Sequence, residues 1–198
     1  MKGLTVAVLG DAELAAALRK KGTVSDVSFF NLKKGEDSIT YIVPSRYPEK
    51  LQSMATALAM ADAAVLVVEK LDKDLGETIV AIDSFGLRRG FIILKNFLSA
   101  DQLRPFVVGT TLEEFRFHEH DAQALNRSVL ELELPPADGP VRVPIDHFFD
   151  VKGVGTVALG TVRRGVVKQH DSLVAYPTAK KATVRSIQVH DDDVPEAT

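Results

Sequence analysis

The chain has 198 residues, 45% apolar and 26% charged, with a formal net charge of −3 at pH 7. This suits one large or two modest folded domains and excludes a whole-protein field that attracts nucleic acid or membrane. The absence of cysteine excludes disulfides, thiolate chemistry and cysteine-based zinc sites. Because the chain has no apolar run of about eighteen residues and no signal peptide, we expect a cytoplasmic protein without a membrane partner.

The first part of the chain predicts a strand, a helix and a hairpin. A short apolar run over 4–9 ends at Gly10 and precedes an Ala/Leu-rich segment over 12–21, which predicts a strand, a turn and a helix. Two β-rich runs, over 27–32 and 38–43, are separated by a charged turn that contains glycine. They predict a hairpin.

Two further strand and helix pairs follow. The apolar spacing predicts a helix over 48–61, and the continuous apolar run over 63–68 is typical of a buried parallel strand. A helix over 75–87 and a buried strand over 91–94 repeat this unit. Ser99 is then predicted to cap the start of another helix.

Shorter elements complete this part of the chain. Phe115 and Phe117 alternate with polar residues as in an edge strand, and Asp121 is predicted to cap a last helix that ends at 132. Strands that alternate with helices predict an α/β domain with a mostly parallel sheet. We assign this domain to residues 1–134.

A different pattern begins after the Pro-rich segment 135–140, which predicts a stiff linker. Residues 141–198 are predicted to form a partial β-barrel, because apolar residues alternate along consecutive runs that are joined through Lys152–Gly153. Glycines that recur at intervals of five indicate bulges or corners of a curved sheet: Gly155, Gly160 and Gly165.

The segment 144–165 has the pattern Pro-Ile-Asp-x-x-Phe-x-Val-x-Gly-x-Gly-Thr-Val-x-x-Gly-x-Val-x-x-Gly. It resembles the second domain of translational GTPases of the elongation factor Tu and SelB kind. The order of an α/β domain and a barrel is also that of the family, and the run over 39–68 resembles its third nucleotide motif and the next strand. The chain most resembles the SelB-like elongation factor associated with pyrrolysine in methanogenic archaea, through short phrases at Lys20–Thr23, Ser45–Pro48 and Arg185–Asp191.

The resemblance implies a nucleotide site whose phosphate-binding loop is missing. Such a loop presents backbone amides to phosphate and supplies a lysine for the phosphates and a hydroxyl for magnesium. Here the turn after Gly10 is about five residues shorter than that motif requires. Asp11 and Glu13 stand where a phosphate would lie, which is the wrong electrostatic sign.

Other nucleotide-binding positions of the family also fall on residues of the wrong type. The magnesium-linked Asp, the Gly that senses the γ-phosphate and the water-positioning His fall on Val43, Arg46 and Tyr47. The guanine-reading Asn-Lys-x-Asp should begin near Lys95 and Asn96, where no Asp follows. We therefore predict a degenerate nucleotide site with no cofactor and no catalytic residue.

The resemblance gives the barrel a candidate RNA site. In related barrels the aminoacyl end of transfer RNA binds at positions that fall here on Asp146, His147, Phe149 and Leu159. Phe149 retains a ring that stacks on a base, whereas Leu159 replaces a polar residue and His147 replaces a charged one. The implied partners are transfer RNA, the ribosome or a translation protein, with no amino-acid specificity carried over.

Two clusters contain side chains of the types that bind metal ions. His118 and His120 would share one face of a strand and supply two ligands, which is fewer than a zinc site needs. The acidic run over 190–193 is most simply a solvated turn. We predict no metal at either place.

The resemblance implies a barrel that needs roughly thirty residues more than follow in this sequence for its closing strands. We therefore expect a truncated barrel with an open strand edge, which exposes unpaired backbone groups. A weak homodimer through that edge is the predicted consequence.

Three functions remain open at this point. The first is an elongation factor-like protein without GTP binding or hydrolysis that acts as an RNA- or protein-binding module in translation. The second is a working GTP-dependent factor that delivers aminoacyl-tRNA. The third is an enzyme that reuses the emptied nucleotide cleft, where Asp11, Glu13 and Arg46 would converge; a cleft filled by Leu14, Tyr47 and Met54 would instead favour a binding scaffold.

Overall fold

The computed structural model describes residues 3–18, 21–24, 26–35, 37–134, 139–189 and 192–198. The chain divides into two compact units, Met1–Pro135 and Pro136–Thr198, which are described separately. Most of the predicted linker and the start of the acidic run over 190–193 lie outside the described residues.

A seven-stranded sheet forms the centre of the first unit. Its strands are β1 Gly3–Leu9, β2 Lys21–Val24, β3 Val27–Lys34, β4 Asp37–Pro44, β5 Ala63–Val68, β6 Gly90–Leu94 and β7 Arg116–Phe117. They lie in the order β2-β3-β4-β1-β5-β6-β7. The pairs from β4 to β7 are parallel, whereas β3 is antiparallel to both of its neighbours. The predicted mostly parallel sheet and the predicted hairpin are confirmed.

Two of the described helices of the first unit follow the residues that were predicted to cap them, Ser99 and Asp121. The described helices are α1 Ala12–Leu18, α2 Leu51–Met60, α3 Lys73–Ser84, α4 Ala100–Val107 and α5 Ala122–Leu130, with a 3₁₀ helix at Thr111–Glu114. Ser99 and Gln102 form a capping box at the start of α4, because each accepts a hydrogen bond from the other's backbone amide. The Asp121 carboxylate accepts two amide hydrogen bonds at the start of α5.

The sheet separates two apolar cores. On one face α2, α3 and α4 bury Met54, Ile79 and Leu103 against it, and on the other face α1 and α5 bury Leu14 and Leu125. Successive residues of β1 and β5 alternate between the two cores. This double coverage explains why these strands are continuous apolar runs rather than alternating ones.

Several predicted boundaries were wrong, most clearly that of the first helix. The helix was predicted over 12–21, but α1 ends at Leu18 and the chain forms β2 instead. Lys21 pairs with Phe30 of β3, so ladder hydrogen bonds on the open edge of β3 override the helical preference of this segment. Likewise α2 begins at Leu51 rather than at residue 48, and α3 ends at Ser84.

The second unit is all-β. Its strands are β8 Ile145–Val151, β9 Gly155–Gly160, β10 Val167–Lys168, β11 Ser172–Ala175, β12 Lys180–Thr183, β13 Ile187–Val189, β14 Asp192–Val194 and β15 Glu196–Ala197. They pair in antiparallel fashion as β8-β9, β10-β15, β11-β12 and β13-β14. The predicted hairpin through Lys152–Gly153 and the predicted order of an α/β unit followed by a β unit are confirmed.

The strands β5 and β6 come close together at Gly90, so a substitution there tests the spacing of the sheet. A Cβ at Gly90 would lie 2.1 Å from the Ala64 carbonyl oxygen and 2.5 Å from the Phe115 ring, whereas a Cβ at Gly76 in α3 would meet nothing within 4 Å. We expect Gly90→Ala to lower the free energy of unfolding by roughly 2 to 3 kcal/mol. The control Gly76→Ala should raise it by about 0.5 to 1 kcal/mol.

Urea unfolding followed by the helical circular dichroism signal measures this difference, since the described helices all lie in the first unit. A Gly90→Ala protein as stable as the wild type would contradict the strand spacing in this part of the sheet.

Candidate functional site

Parallel strands of the first unit end at one edge of the sheet, which is where open α/β folds bind ligands. Asp11 follows β1, Glu69 follows β5 and Lys95 follows β6. Lys95 Nζ lies 3.1 Å from Asp11 Oδ2 and 2.5 Å from Glu69 Oε1. His120, which lies beyond β7, places its Nε2 3.0 Å from the same Asp11 oxygen. We call these four residues the Asp11 cluster.

Asp11 is the centre of this cluster. Its Oδ1 accepts hydrogen bonds from the backbone amides of Glu13 at 2.8 Å and Leu14 at 2.9 Å, at the start of α1. Its Oδ2 contacts Lys95 and His120, and the side chain is only 6% exposed. The carboxylate therefore contacts helix amides, an ammonium group and an imidazole at once, all of which are groups that bind anions.

The contacts of the cluster shift the pKa values of Asp11 and Lys95 toward their charged forms. Burial acts to raise the pKa of Asp11, but hydrogen bonds from the Leu14 amide, His120 and Lys95 outweigh it and hold the pKa below its ordinary value of 3.8. Hydrogen bonds to Glu69 and to Asp11 raise the pKa of Lys95. Asp11 is thus a carboxylate and Lys95 an ammonium ion at neutral pH.

The turn that positions Asp11 requires glycine at residue 10. Gly10 has φ +89°, and a Cβ there would lie 2.1 Å from the Val67 carbonyl oxygen of β5. Only glycine adopts this left-handed conformation without strain and allows the backbones to come so close. Gly10 therefore allows the tight turn that joins β1 to α1 and contains Asp11.

Lys95 and Asn96, two of the predicted degenerate positions, form a tight turn after β6. The Lys95 amide donates to the Val68 carbonyl at 2.9 Å, and the Asn96 side-chain amide donates to the Glu69 carbonyl at 3.1 Å. Asn96 and Phe97 both have positive φ, at 54° and 61°. The turn is anchored on the end of β5 and leaves the Phe97 ring fully exposed.

The remaining degenerate positions, Val43, Arg46 and Tyr47, make contacts within the protein. Val43 is buried in β4, where it is 6% exposed. Arg46 Nε lies 3.6 Å from the carboxylate of Asp26, and the Tyr47 hydroxyl donates to the Asp74 carbonyl at 3.0 Å. An apolar residue, a surface ion pair and a core-anchored ring thus occupy the positions that the resemblance assigns to nucleotide contacts.

The structure corrects both arrangements expected for the emptied cleft. Asp11 and Arg46 belong to separate clusters, since Asp11 contacts Lys95 and His120 whereas Arg46 pairs with Asp26. Leu14 and Met54 do not fill one cleft together, because they lie in the cores on opposite faces of the sheet. Sheet topology decided this, since α1 and α2 cover different faces.

His118 and His120 also have different partners. The His118 ring contacts the Glu119 carbonyl at 2.7 Å and the Ser128 hydroxyl at 3.1 Å, whereas His120 contacts Asp11. Within the described ranges, no group of three or more His, Cys, Asp or Glu residues is arranged to hold a metal ion.

The four candidate positions of the β unit lie together on β8 and β9. His147 and Phe149 share one face of β8, where their rings stack with centroids 5.8 Å apart, and Leu159 is the cross-strand partner of His147. A register shift between Ile145 and His147 places Asp146 beside this face. Its carboxylate, 3% exposed, contacts His147 Nδ1 at 2.6 Å. The structure therefore brings the four residues together, and their role in binding RNA stays a prediction.

The sequence did not predict that Lys95 and His120 contact the Asp11 carboxylate. Lys95 and His120 are 84 and 109 residues away from it in the chain. The signal that was present is topological: residues that follow neighbouring parallel strands meet at one sheet edge. His120 lies beyond a strand of only two residues, so its arrival at this edge was not predictable from the pattern.

No protein-family model matches the chain. The chain is similar to an uncharacterized protein of Methanocaldococcus jannaschii, with 38% identity over 199 residues that cover 100% of this chain and 65% of that protein. It is also similar to elongation factor 1-alpha of Saccharolobus solfataricus, with 27% identity over 220 residues that cover 87% of this chain and 50% of that factor. The chain thus spans between half and two thirds of the length of these relatives.

Solved structures of translation factors have the same fold. A bacterial selenocysteine-specific elongation factor EF-Sec superposes with a TM-score of 0.78 at 20% identity, over 100% of this chain and 40% of that one. SelB of Methanococcus maripaludis in complex with the GTP analogue GPPNHP gives a TM-score of 0.74 at 20% identity, over 100% of this chain and 49% of that one. The fold is that of a GTPase-like α/β domain followed by a β domain. The chain is related to the translational GTPases of the EF-Tu/SelB-like family.

The finer assignment to the pyrrolysine-associated SelB-like factors stays a prediction. Among the described residues, no helix has the length and apolar content needed to span a membrane.

Asp11→Asn tests the electrostatic role of Asp11. Asparagine also caps helices, so this variant keeps the amide contacts at α1 and removes the charge next to Lys95 and His120. We expect the free energy of unfolding near neutral pH to fall by roughly 1 to 3 kcal/mol, the cost of a lost charged hydrogen bond. Because the folded-state pKa lies below 3.8, the carboxylate stabilises the fold above that pH, and its contribution is lost as the pH falls further.

Urea unfolding from about pH 7 to about pH 3 measures the difference between the two proteins, which should shrink over the acidic end of that range. Asp101→Asn is the control, since Asp101 is 91% exposed in its ion pair with Arg104. It should change stability by less than about 0.5 kcal/mol. A difference for Asp11→Asn that stays constant down to the lowest pH would contradict the electrostatic role.

Proposed function

We propose that this chain is a cytoplasmic, translation elongation factor-like protein that neither binds nor hydrolyses GTP and acts as an RNA- or protein-binding module in translation. Its relation to elongation factors supports the setting in translation. The Asp11 cluster supports the loss of nucleotide binding. The face of β8 and β9 that carries His147 and Phe149 supports a binding role for the β unit.

The observation that carries this proposal is the position of the Asp11 carboxylate. It already accepts hydrogen bonds from two amides of α1 and contacts Lys95 and His120. A phosphate at this point would have to compete with the Asp11 carboxylate for the α1 amides and the Lys95 ammonium group, which already bind that carboxylate.

The other nucleotide positions support the same proposal. Val43 offers no carboxylate to a magnesium ion, and its side chain is buried in the sheet. Tyr47 is directed to Asp74 and Thr78 of α3 by hydrogen bonds of its hydroxyl group. A nucleotide would therefore lack its usual metal ligand and its usual water-positioning group at these two places.

The proposed partner of the β unit is RNA, in the form of transfer RNA or the ribosome, or else a translation protein. Phe149 is 43% exposed and stacks on His147, so an aromatic platform is open to a base. With a formal net charge of −3, the chain neutralises few phosphates, and stacking must supply much of the affinity. Self-association through a strand edge of this unit stays a prediction.

The first test is a titration with a fluorescent GTP analogue and magnesium. We expect no saturation in the low micromolar range, because the phosphates would meet the Asp11 carboxylate without the loop amides that normally bind them. SelB of Methanococcus maripaludis, whose structure contains GPPNHP, is the positive control. Low-micromolar binding by this chain would refute the proposal and favour a working GTP-dependent factor.

The second test compares two neighbouring phenylalanines in binding to transfer RNA. Phe149 lies on the His147 face of β8, whereas Phe148 lies on the other face opposite Ala158 and is more exposed, at 73%. We expect weak, salt-dependent binding that Phe149→Ala reduces by roughly 1 to 3 kcal/mol, the contribution of one stacked base. Phe148→Ala should leave the affinity unchanged in fluorescence anisotropy. Equal losses in both variants, or affinity that is independent of salt, would place the RNA contact elsewhere.

A further inference from the structure

The segment over 45–50 joins β4 to α2. It carries Arg46 and Tyr47, the positions that the resemblance assigns to γ-phosphate sensing and to positioning a water molecule, respectively. The Ser45 amide donates to the Asp26 carbonyl at 3.0 Å. The Asp26 carboxylate pairs with Lys50 at the other end of the segment and lies 3.6 Å from Arg46 Nε. Asp26, which directly precedes β3, thus contacts three residues of this segment.

Buried hydroxyl groups extend this contact into the core. Ser53 of α2, which is fully buried, donates to the Asp26 carbonyl at 2.6 Å and accepts from the Arg46 amide at 3.2 Å. The hydroxyl groups of Ser28 and Ser45 are 2.6 Å apart. We call this set the Asp26 clamp: Asp26, Ser28, Ser45, Arg46, Lys50 and Ser53.

A second anchor lies on the opposite side of the segment. The Tyr47 hydroxyl is within hydrogen-bond distance of the Asp74 carbonyl, at 3.0 Å, and of the Glu77 carboxylate, at 3.1 Å. Thr78 Oγ1 lies 3.3 Å from it. The ring packs against the core that α2, α3 and α4 share. Tyr47 therefore fixes the middle of the segment to α3.

We infer that the segment over 45–50 is locked in one conformation by the Asp26 clamp and Tyr47, independently of any nucleotide. Any other conformation would have to break several contacts that support one another and would take the Ser45 and Arg46 amides away from their acceptors on Asp26 and Ser53. A ligand shifts such an equilibrium only by its differential affinity for the two states. The segment therefore presents a constant surface. This inference rests on the proposed function, in which nucleotide no longer acts on this site.

Hydrogen exchange of the full chain, read by mass spectrometry, tests the lock. In the wild-type protein the amides of Ser45, Arg46 and Lys50 should exchange slowly, although Ser45 and Arg46 lie at the surface. Ser53→Ala should accelerate exchange of the Ser45 and Arg46 amides by at least about tenfold, because it removes the acceptor of the Arg46 amide and one of the two donors to the Asp26 carbonyl, the other being the Ser45 amide.

Ser84→Ala is the matched control, because Ser84 lies at the exposed end of α3, outside the clamp. It should leave exchange over 45–50 unchanged. Amides of the central strand β5 serve as an internal reference, so that local opening is separated from global loss of stability. Tyr47→Phe tests the second anchor and should accelerate exchange at residue 47 and its neighbours. Fast exchange in the wild type, or equal exchange in the Ser53 and Ser84 variants, would overturn the inference.

Repeating the exchange with a GTP analogue and magnesium separates this inference from the proposed function. If no nucleotide binds and exchange over 45–50 is unchanged, both the locked segment and the proposed function are supported. Nucleotide binding with unchanged exchange would refute the proposed function and leave the lock supported. Nucleotide binding that alters exchange over 45–50 would overturn both, because the segment would then respond to the ligand.

Discussion

The carboxylate of Asp11 organises the edge of the sheet at which open α/β folds bind ligands. It satisfies the first amides of α1 and balances Lys95 and His120, which reach it from the ends of β6 and β7. An anion at this point is required by the fold itself, since a helix start, an ammonium group and an imidazole converge there. In this chain the anion is the Asp11 side chain itself. It is therefore always present, and its binding costs no entropy of association.

The segment over 45–50, where the resemblance places the γ-phosphate sensor, is likewise held by contacts within the protein. Asp26 holds the segment after β4 from one side, and Tyr47 holds it from α3 on the other. Exposed ion pairs such as that of Arg46 with Asp26 contribute little by themselves. The fully buried Ser53 matters more, because its hydroxyl accepts a hydrogen bond from the Arg46 amide and donates one to the Asp26 carbonyl.

The β unit carries the other candidate site. Strand alternation puts His147 and Phe149 on one face, and the register shift before His147 allows the buried Asp146 carboxylate to orient the imidazole ring. A stacked ring pair with one oriented polar group is suited to a flat, partly polar ligand such as a nucleobase. Our proposal thus assigns binding to the β unit. In the described part of the first unit, Asp11 at the sheet edge contacts Lys95 and His120.

Local patterns were sufficient to predict the alternation of strands and helices, the caps at Ser99 and Asp121 and the hairpin through Lys152–Gly153. These features depend on residues a few positions apart, and their sequence periods carry that information. The residue types at Asp11 and Val43 led to the prediction that nucleotide binding is lost, which stays a prediction. Only the tertiary structure decided that Asp11 pairs with Lys95 and His120, and that Lys21–Val24 forms a strand. Both depend on which strands become neighbours in the sheet, because contacts between residues 84 and 109 positions apart leave no periodic trace along the chain.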